Sequence, residues 1–270
     1  MSKADLSLPL LPNHYYHIFN RGNEKRNIFF EYKNYQYFLK RYADYTSAYL
    51  DTYSYCLLDN HFHLLIKPKS TNEILQAASV DFGILDASFY DRYVLAWLKQ
   101  IGVVEQTADL TVLKEMLNLM LTHPDATPLS ASSDHPTHMD QLEFTSQLSS
   151  YLVSERLRRF MLSYAKSINK QQDRTGSLFQ KPFRRKHVFG VKDLKKVSTY
   201  IHHNVIHHDY AYTFGAYPWS SYRSIVSEKE TRLNKSELLS WFGGMDEFIH
   251  YSEQYKKHKW QKELFYIEES

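Results

Sequence analysis

Two histidines one residue apart, His61-Phe62-His63, are the first residues of this chain whose spacing suits chemistry. On a β-strand alternate side chains share a face, so both imidazoles project the same way, about 6 to 7 Å apart at the backbone, and can converge on one divalent cation. Phe62, Leu64 and Ile66 then point to the opposite face and hold the strand against helices. Fourteen histidines in 270 residues yield about 0.7 such pairs by chance, so structural histidines stand as the competing reading.

The second constellation is Tyr200-Ile201-His202-His203-Asn204. On a helix, Tyr200 and Asn204 are four apart and sit one above the other. A phenol can then attack while the neighbouring amide oxygen ligates a metal. The chain holds 22 tyrosines, and only a contact with His61 and His63 would set this one apart. Tyr164, whose next amide is Asn169, is the rival. A five-residue helical step leaves two side chains roughly 140° apart, whereas a four-residue step leaves only about 40°. Tyr164 therefore reads as a packing or base-stacking residue. A tyrosine has a reference pKa of about 10, so some group must take its proton near neutrality. His202, His203 or a water on the metal are all open candidates.

These residues need a scaffold. His14 to Asn20 is an aromatic and branched run closed by Arg21-Gly22-Asn23, which predicts a first strand and a turn. Tyr37, Phe38, Tyr42, Tyr45 and Tyr49 recur at three-and-four spacing and predict a helix over 34–50. Thr52 to Leu58 and His61 to Lys67 form a hairpin around Asp59-Asn60. A helix follows over 150–170, then Arg174-Thr175-Gly176, an extended segment over 177–187, and a helix capped by Asp193 and running through His203. This order predicts an α+β fold: a ferredoxin-like antiparallel sheet with packed helices, His61 and His63 mid-sheet and Tyr200 on a helix against it. The core is discontinuous, 10–69 and 150–225. An acidic helical insertion over 70–149 holds the apolar run Leu110 to Leu121 and a Pro/Ser/Thr/His linker from Thr122 to His138. A helical C-terminal tail spans 226–270, with helices over 234–242 and 246–264. No internal repeat is present.

Charge is unevenly distributed. Arg156 to Tyr200 carries 13 basic residues against two acidic ones, whereas 70–149 carries three against eleven. The basic block, interleaved with Tyr164, Phe179 and Phe183, has the footprint of phosphate contacts with aromatics within reach of bases, against a merely solvated charged face. A single cysteine, Cys56, excludes a disulfide framework and any zinc site built from several thiolates. Aromatics make up 16% of the chain, and most are accounted for as half-buried packing residues. No stretch reaches the roughly 18 apolar residues of a membrane span, and the opening Met1-Ser2-Lys3-Ala4-Asp5 lacks the layout of a secretory leader. The expected location is cytoplasmic.

Taken together, the motifs resemble a known family, the single-tyrosine transposases of the HUH endonuclease superfamily, particularly the REP-associated tyrosine transposases of bacteria. The resemblance runs through Tyr15-Tyr16-His17-Ile18-Phe19-Asn20-Arg21-Gly22-Asn23 and Tyr55-Cys56-Leu57-Leu58-Asp59-Asn60-His61-Phe62-His63-Leu64-Leu65-Ile66. It continues through Ser163-Tyr164-Ala165-Lys166, Arg174-Thr175-Gly176-Ser177-Leu178-Phe179-Gln180, Tyr200-Ile201-His202-His203-Asn204 and Trp219-Ser220-Ser221-Tyr222, in the family's order. It implies that His61 and His63 bind a metal, Mg²⁺ or Mn²⁺, that Asn204 completes the site, and that Tyr200 is the nucleophile. The chain departs from the family in having Asn204-Val205 where Asn-Pro is usual, and in the length of its acidic insertion.

The expected activity is that of a transposase-like, metal-dependent endonuclease. It would cut single-stranded, hairpin-bearing or repetitive DNA through a 5′-phosphotyrosyl link, with Tyr200, His61 and His63 as catalytic residues. Arg21, Asn23, Arg174, Lys181, Arg184, Arg185 and Lys186 are the candidate DNA contacts. The partner is single-stranded or hairpin DNA, with no membrane, and the protein is a monomer or homodimer. A non-catalytic DNA-binding protein on the same fold is the alternative, and a metal-dependent hydrolase using water a third.

Overall fold

The computed structural model describes residues 8–82, 141–180 and 182–257. In chain order the elements are β1 (Tyr15–Arg21), a single 3-10 turn (Asn23–Lys25), α1 (Tyr32–Thr46), β2 (Leu50–Leu58), β3 (His61–Pro68), α2 (Thr71–Phe82), α3 (Gln141–Gln171), β4 (Arg184–Val188), α4 (Gly190–His207), α5 (Tyr222–Val226), α6 (Lys235–Phe242) and α7 (Met245–Lys257). The four strands form one antiparallel sheet in the order β2-β3-β1-β4. This is the βαββαβ arrangement of the expected ferredoxin-like α+β fold.

Strand alternation divides the sheet into two chemically different faces. Tyr16, Ile18, Leu57, Phe62, Leu64 and Ile66 pack with Phe38 and Tyr42 of α1 and Phe160 and Tyr164 of α3 in one core. Tyr53, Cys56, Leu58 and Leu65 pack on the other face with Val197, Ile201 and Val205 of α4, Trp241 of α6 and Phe248 of α7. Tyr53 and Cys56 share a core although three apart, because a register shift between Thr52 and Ser54 inserts one extra residue into β2. The layers are helices, sheet, helices, and β3 and β1 lie inside the sheet.

Four details differ from the sequence-based expectation. Helix α3 begins at 141 rather than 150, and α4 extends to His207. The segment 177–187 is strand only from Arg184, with Phe179 meeting Gly22 in a lone bridge. Asp193 does not cap α4: the cap position is Phe189, without a side-chain hydrogen bond, and Asp193 lies in the first turn, where its charge favours the helix dipole. The acidic stretch over 70–149 contributes core at both ends, through Ile74, Leu75 and Ala78 of α2 and Leu148 of α3. Its apolar run and linker over 110–138 lie outside the described residues, as does the tail beyond 257. Among the described residues, no helix is long and apolar enough to cross a membrane.

Candidate active site

His61 and His63 fall on the α4 face of β3 together with Leu65, whose side chain belongs to the α4 core. Antiparallel register sets Phe19 opposite His63 and Arg21 opposite His61 on β1, so His17, Phe19 and Arg21 share that face. The hairpin end bearing His61 is clamped. Asp59 O accepts from the Ile28 and Phe29 amides at 2.7 and 2.9 Å, Asn60 O accepts from the Gly22 amide at 2.8 Å, and the Tyr210 hydroxyl donates to the Asp59 carboxylate. Residue 22 must be glycine here, because a Cβ on it would meet the Arg26 carbonyl oxygen at 1.9 Å.

Helix α4 crosses this face with Tyr200, Asn204 and His208 in one stripe, each four residues from the next. The Tyr200 ring lies 5.7 Å from His63 and 6.0 Å from His17, edge-on to both. At the other end of the stripe the His208 ring stands 4.9 Å from His61. Asn204, 1% exposed, is therefore held between them. The helix continues two residues past Val205, and this extension brings His208, the C-cap, over His61.

Hydrogen bonding fixes how these groups are held. His61 Nδ1 stands 2.6 Å from Asn60 Oδ1, an oxygen that only accepts, so a neutral His61 carries its proton on Nδ1 and its lone pair on Nε2. His17 Nε2 and His63 Nδ1 are 2.9 Å apart. Asn204 donates through Nδ2 to the Tyr200 carbonyl at 3.0 Å, while its buried Oδ1 has no hydrogen-bond partner among the described residues. A buried amide oxygen without a donor is costly unless something positive meets it. The C-terminal end of α4, carrying partial negative charge, also lies here. Among the described residues no group of three or more His, Cys, Asp and Glu side chains is arranged to hold a metal. In donor type, two imidazoles and one amide oxygen fit a borderline divalent cation such as Mn²⁺ better than Mg²⁺, which takes oxygen ligands throughout.

The candidates for Tyr200's proton are corrected. His202 is fully buried, its Nε2 2.7 Å from Ser221 Oγ and its ring against Tyr222 and Phe248, and burial pushes its pKa down to about 3. His203 packs against Phe214 and Tyr255. Both face the C-terminal helices. The rings touching Tyr200 are instead His17 and His63, and His17 and His208 are site residues that sequence reasoning missed. Tyr164 is fully buried and donates to Ile28 O at 2.8 Å, and burial raises its phenol pKa.

The candidate DNA contacts separate into groups. Arg21 is on the histidine face, beside residues 178–180, since Gln180 donates to Arg21 O and Asn23 to Leu178 O, both at 2.9 Å, whereas Arg174 donates to Asn169 O at the end of α3. Asn23 is exposed. Arg184 and Lys186 pair with Phe19 and His17 across the sheet and share their face, Arg184 lying over the Phe19 ring at 5.8 Å. Arg185 points the other way. It is 8% exposed, donates to Leu8 O and Ser154 Oγ at 3.1 and 2.9 Å, and stacks on Phe183, and burial lowers its pKa to about 10. It ties β4 to α3 and is withdrawn from the phosphate set. Lys181 lies outside the described residues.

No family model matches the chain, and no curated protein matches it by sequence. Among solved structures it is similar to a REP-associated tyrosine transposase bound to a REP hairpin. The identity is 10% and the TM-score 0.45, over 84% of this chain and 87% of that one.

Proposed function

We propose that this protein is a metal-dependent endonuclease that cuts and rejoins single-stranded or hairpin DNA through Tyr200. The observation that carries the reading is the stripe Tyr200-Asn204-His208 lying against His63 and His61, with the Asn204 oxygen buried and, among the described residues, without a hydrogen-bond donor. His61, His63 and Asn204 would hold Mg²⁺ or Mn²⁺, whose charge would polarise a phosphate.

Tyr200 oxygen attacks phosphorus, and the bond from phosphorus to the 3′ oxygen breaks. The phenol proton leaves and the departing oxygen takes one up, giving a 5′-phosphotyrosyl link and a free 3′-hydroxyl. The His17 and His63 rings lie edge-on to Tyr200 and hold its ring over the sheet, and a water on the metal would be the group to take its proton. Since the link keeps the phosphodiester energy, a second 3′-hydroxyl can reverse the step without ATP. Arg21, Arg184 and Lys186 share the sheet face with the histidines and would steer the backbone, while Asn23, beside Arg21, would receive it at the His61 end. Exposed rings flank α4, Phe189 at 67% and Tyr212 at 92%, and suit unpaired bases.

A labelled hairpin oligonucleotide incubated with Mn²⁺ and run on a denaturing gel tests this. Wild type should give a protein-DNA adduct that Tyr200→Phe lacks. Cleavage without an adduct would make water the nucleophile, and binding without cleavage would leave a DNA-binding protein alone.

A further inference from the structure

We infer that His17 is a positioning residue, holding His63 in the tautomer with its proton on Nδ1 and its lone pair on Nε2. The inference rests on the metal-dependent reading and deepens it. His17 is 1% exposed, sits on the inner strand β1 diagonal to His63, and stacks on it with ring centroids 5.1 Å apart and planes 22° from parallel.

Across the 2.9 Å between His17 Nε2 and His63 Nδ1 there is room for one proton. If it belongs to His17, neutral His63 carries its own proton on Nε2 and cannot ligate. If it belongs to His63, a lone pair sits on Nε2, across the ring from His17 and buried. His61 is already held by Nδ1, through Asn60. The second arrangement makes the two strand histidines equivalent, each tied by Nδ1 and each with its lone pair on Nε2. Two ring lone pairs on one face of β3 are then available to a divalent cation, a condition that an N–H on His63 would spoil. A carboxylate at position 17 would also accept from Nδ1, but it would favour protonated His63, which binds no metal. A neutral imidazole selects the tautomer without adding charge beneath the site.

The test begins on metal-free full-length protein labelled with ¹⁵N in the histidine rings. NMR should find His63 protonated on Nδ1 in wild type, and this preference should be lost in His17→Leu. Mn²⁺ titration followed by electron paramagnetic resonance should then show about 10- to 100-fold weaker binding for His17→Leu. His17→Gln, whose Oε1 can accept the same bond, should recover most of the affinity. Melting curves check the fold, and if His17→Leu does not fold, the wild-type spectrum and His17→Gln carry the test. His63 protonated on Nε2 in wild type, or Mn²⁺ affinity unchanged in a folded His17→Leu, would overturn the inference. Wild type showing the Nδ1 proton but binding no Mn²⁺ would uphold the tautomer lock and sink the metal-dependent reading instead.

Discussion

Tyr200 and Tyr164 lie in the same basic block, yet their surroundings assign them opposite work. Tyr164 is sealed in the α1–α3 core with its hydroxyl on Ile28 O, so Tyr164→Phe should leave adduct formation intact and lower stability by about 0.5–1.5 kcal/mol in urea unfolding. Tyr200 is only partly buried and touches two histidines. Tyr200→Phe should abolish the adduct while DNA affinity stays within about twofold, because phosphate contacts elsewhere supply most of the affinity. His61→Ala and His63→Ala should behave like Tyr200→Phe in cleavage and in binding, and adducts from both at wild-type yield would remove the metal site. The sequence held the angular argument for Tyr200 and Asn204, since it needs only the helix period. It could not expose His17, whose role depends on which residue of β3 it meets, or His208, which enters because α4 outlasts Val205.

At the scale of elements, β4 shows why charge density alone does not identify phosphate contacts. Arg184, Arg185 and Lys186 look equivalent in sequence, but pairing with β1 sends the first and third to the histidine face and the second into the interior beside α3. Replacing Arg184 and Lys186 together with Ala should reduce the slope of log affinity against log salt by about 1.4 to 1.8. Arg185→Leu should leave that slope unchanged and show up in thermal melting instead, having removed the bonds to Leu8 O and Ser154 Oγ. A slope altered equally by both variants would mean that the strand's parity is misassigned. The helices and the hairpin were legible from periodicity and turn residues. The start of α3 was not, because residues 141–149 looked compositionally like part of the acidic insertion.

On the scale of the whole molecule, the C-terminal helices are coupled to the sheet through one carboxylate. Glu237 on α6 accepts from the Tyr53 hydroxyl at 2.6 Å, from Lys67 at 2.9 Å and from Asn234 at 2.9 Å, and also from the Tyr15 hydroxyl. Burial alone would raise its pKa, but the two phenols and the lysine outweigh that and hold it below the ordinary 4.5. A depressed carboxylate contributes stability that is present above about 4.5 and lost as pH falls through the folded value. Glu237→Gln should therefore cost about 1–3 kcal/mol at pH 7, and the gap to wild type should narrow as pH falls below about 4.5. The opposite end of the chain's organisation concerns residues 83–140, which carry three basic and eight acidic residues and would repel a phosphate backbone at close range. The two helices flanking them are part of the core, with Ile74 and Leu75 before and Leu148 after. Removing 70–149 would strip those side chains out, at about 2–5 kcal/mol for each large one, and should leave no folded protein. Removing only 83–140 and joining α2 to α3 by a short flexible linker keeps Ile74, Leu75 and Leu148 and every residue of the histidine face in the chain. That variant should melt cooperatively and still form the Tyr200 adduct, and a folded but inactive product would mean that the acidic segment takes part in the reaction.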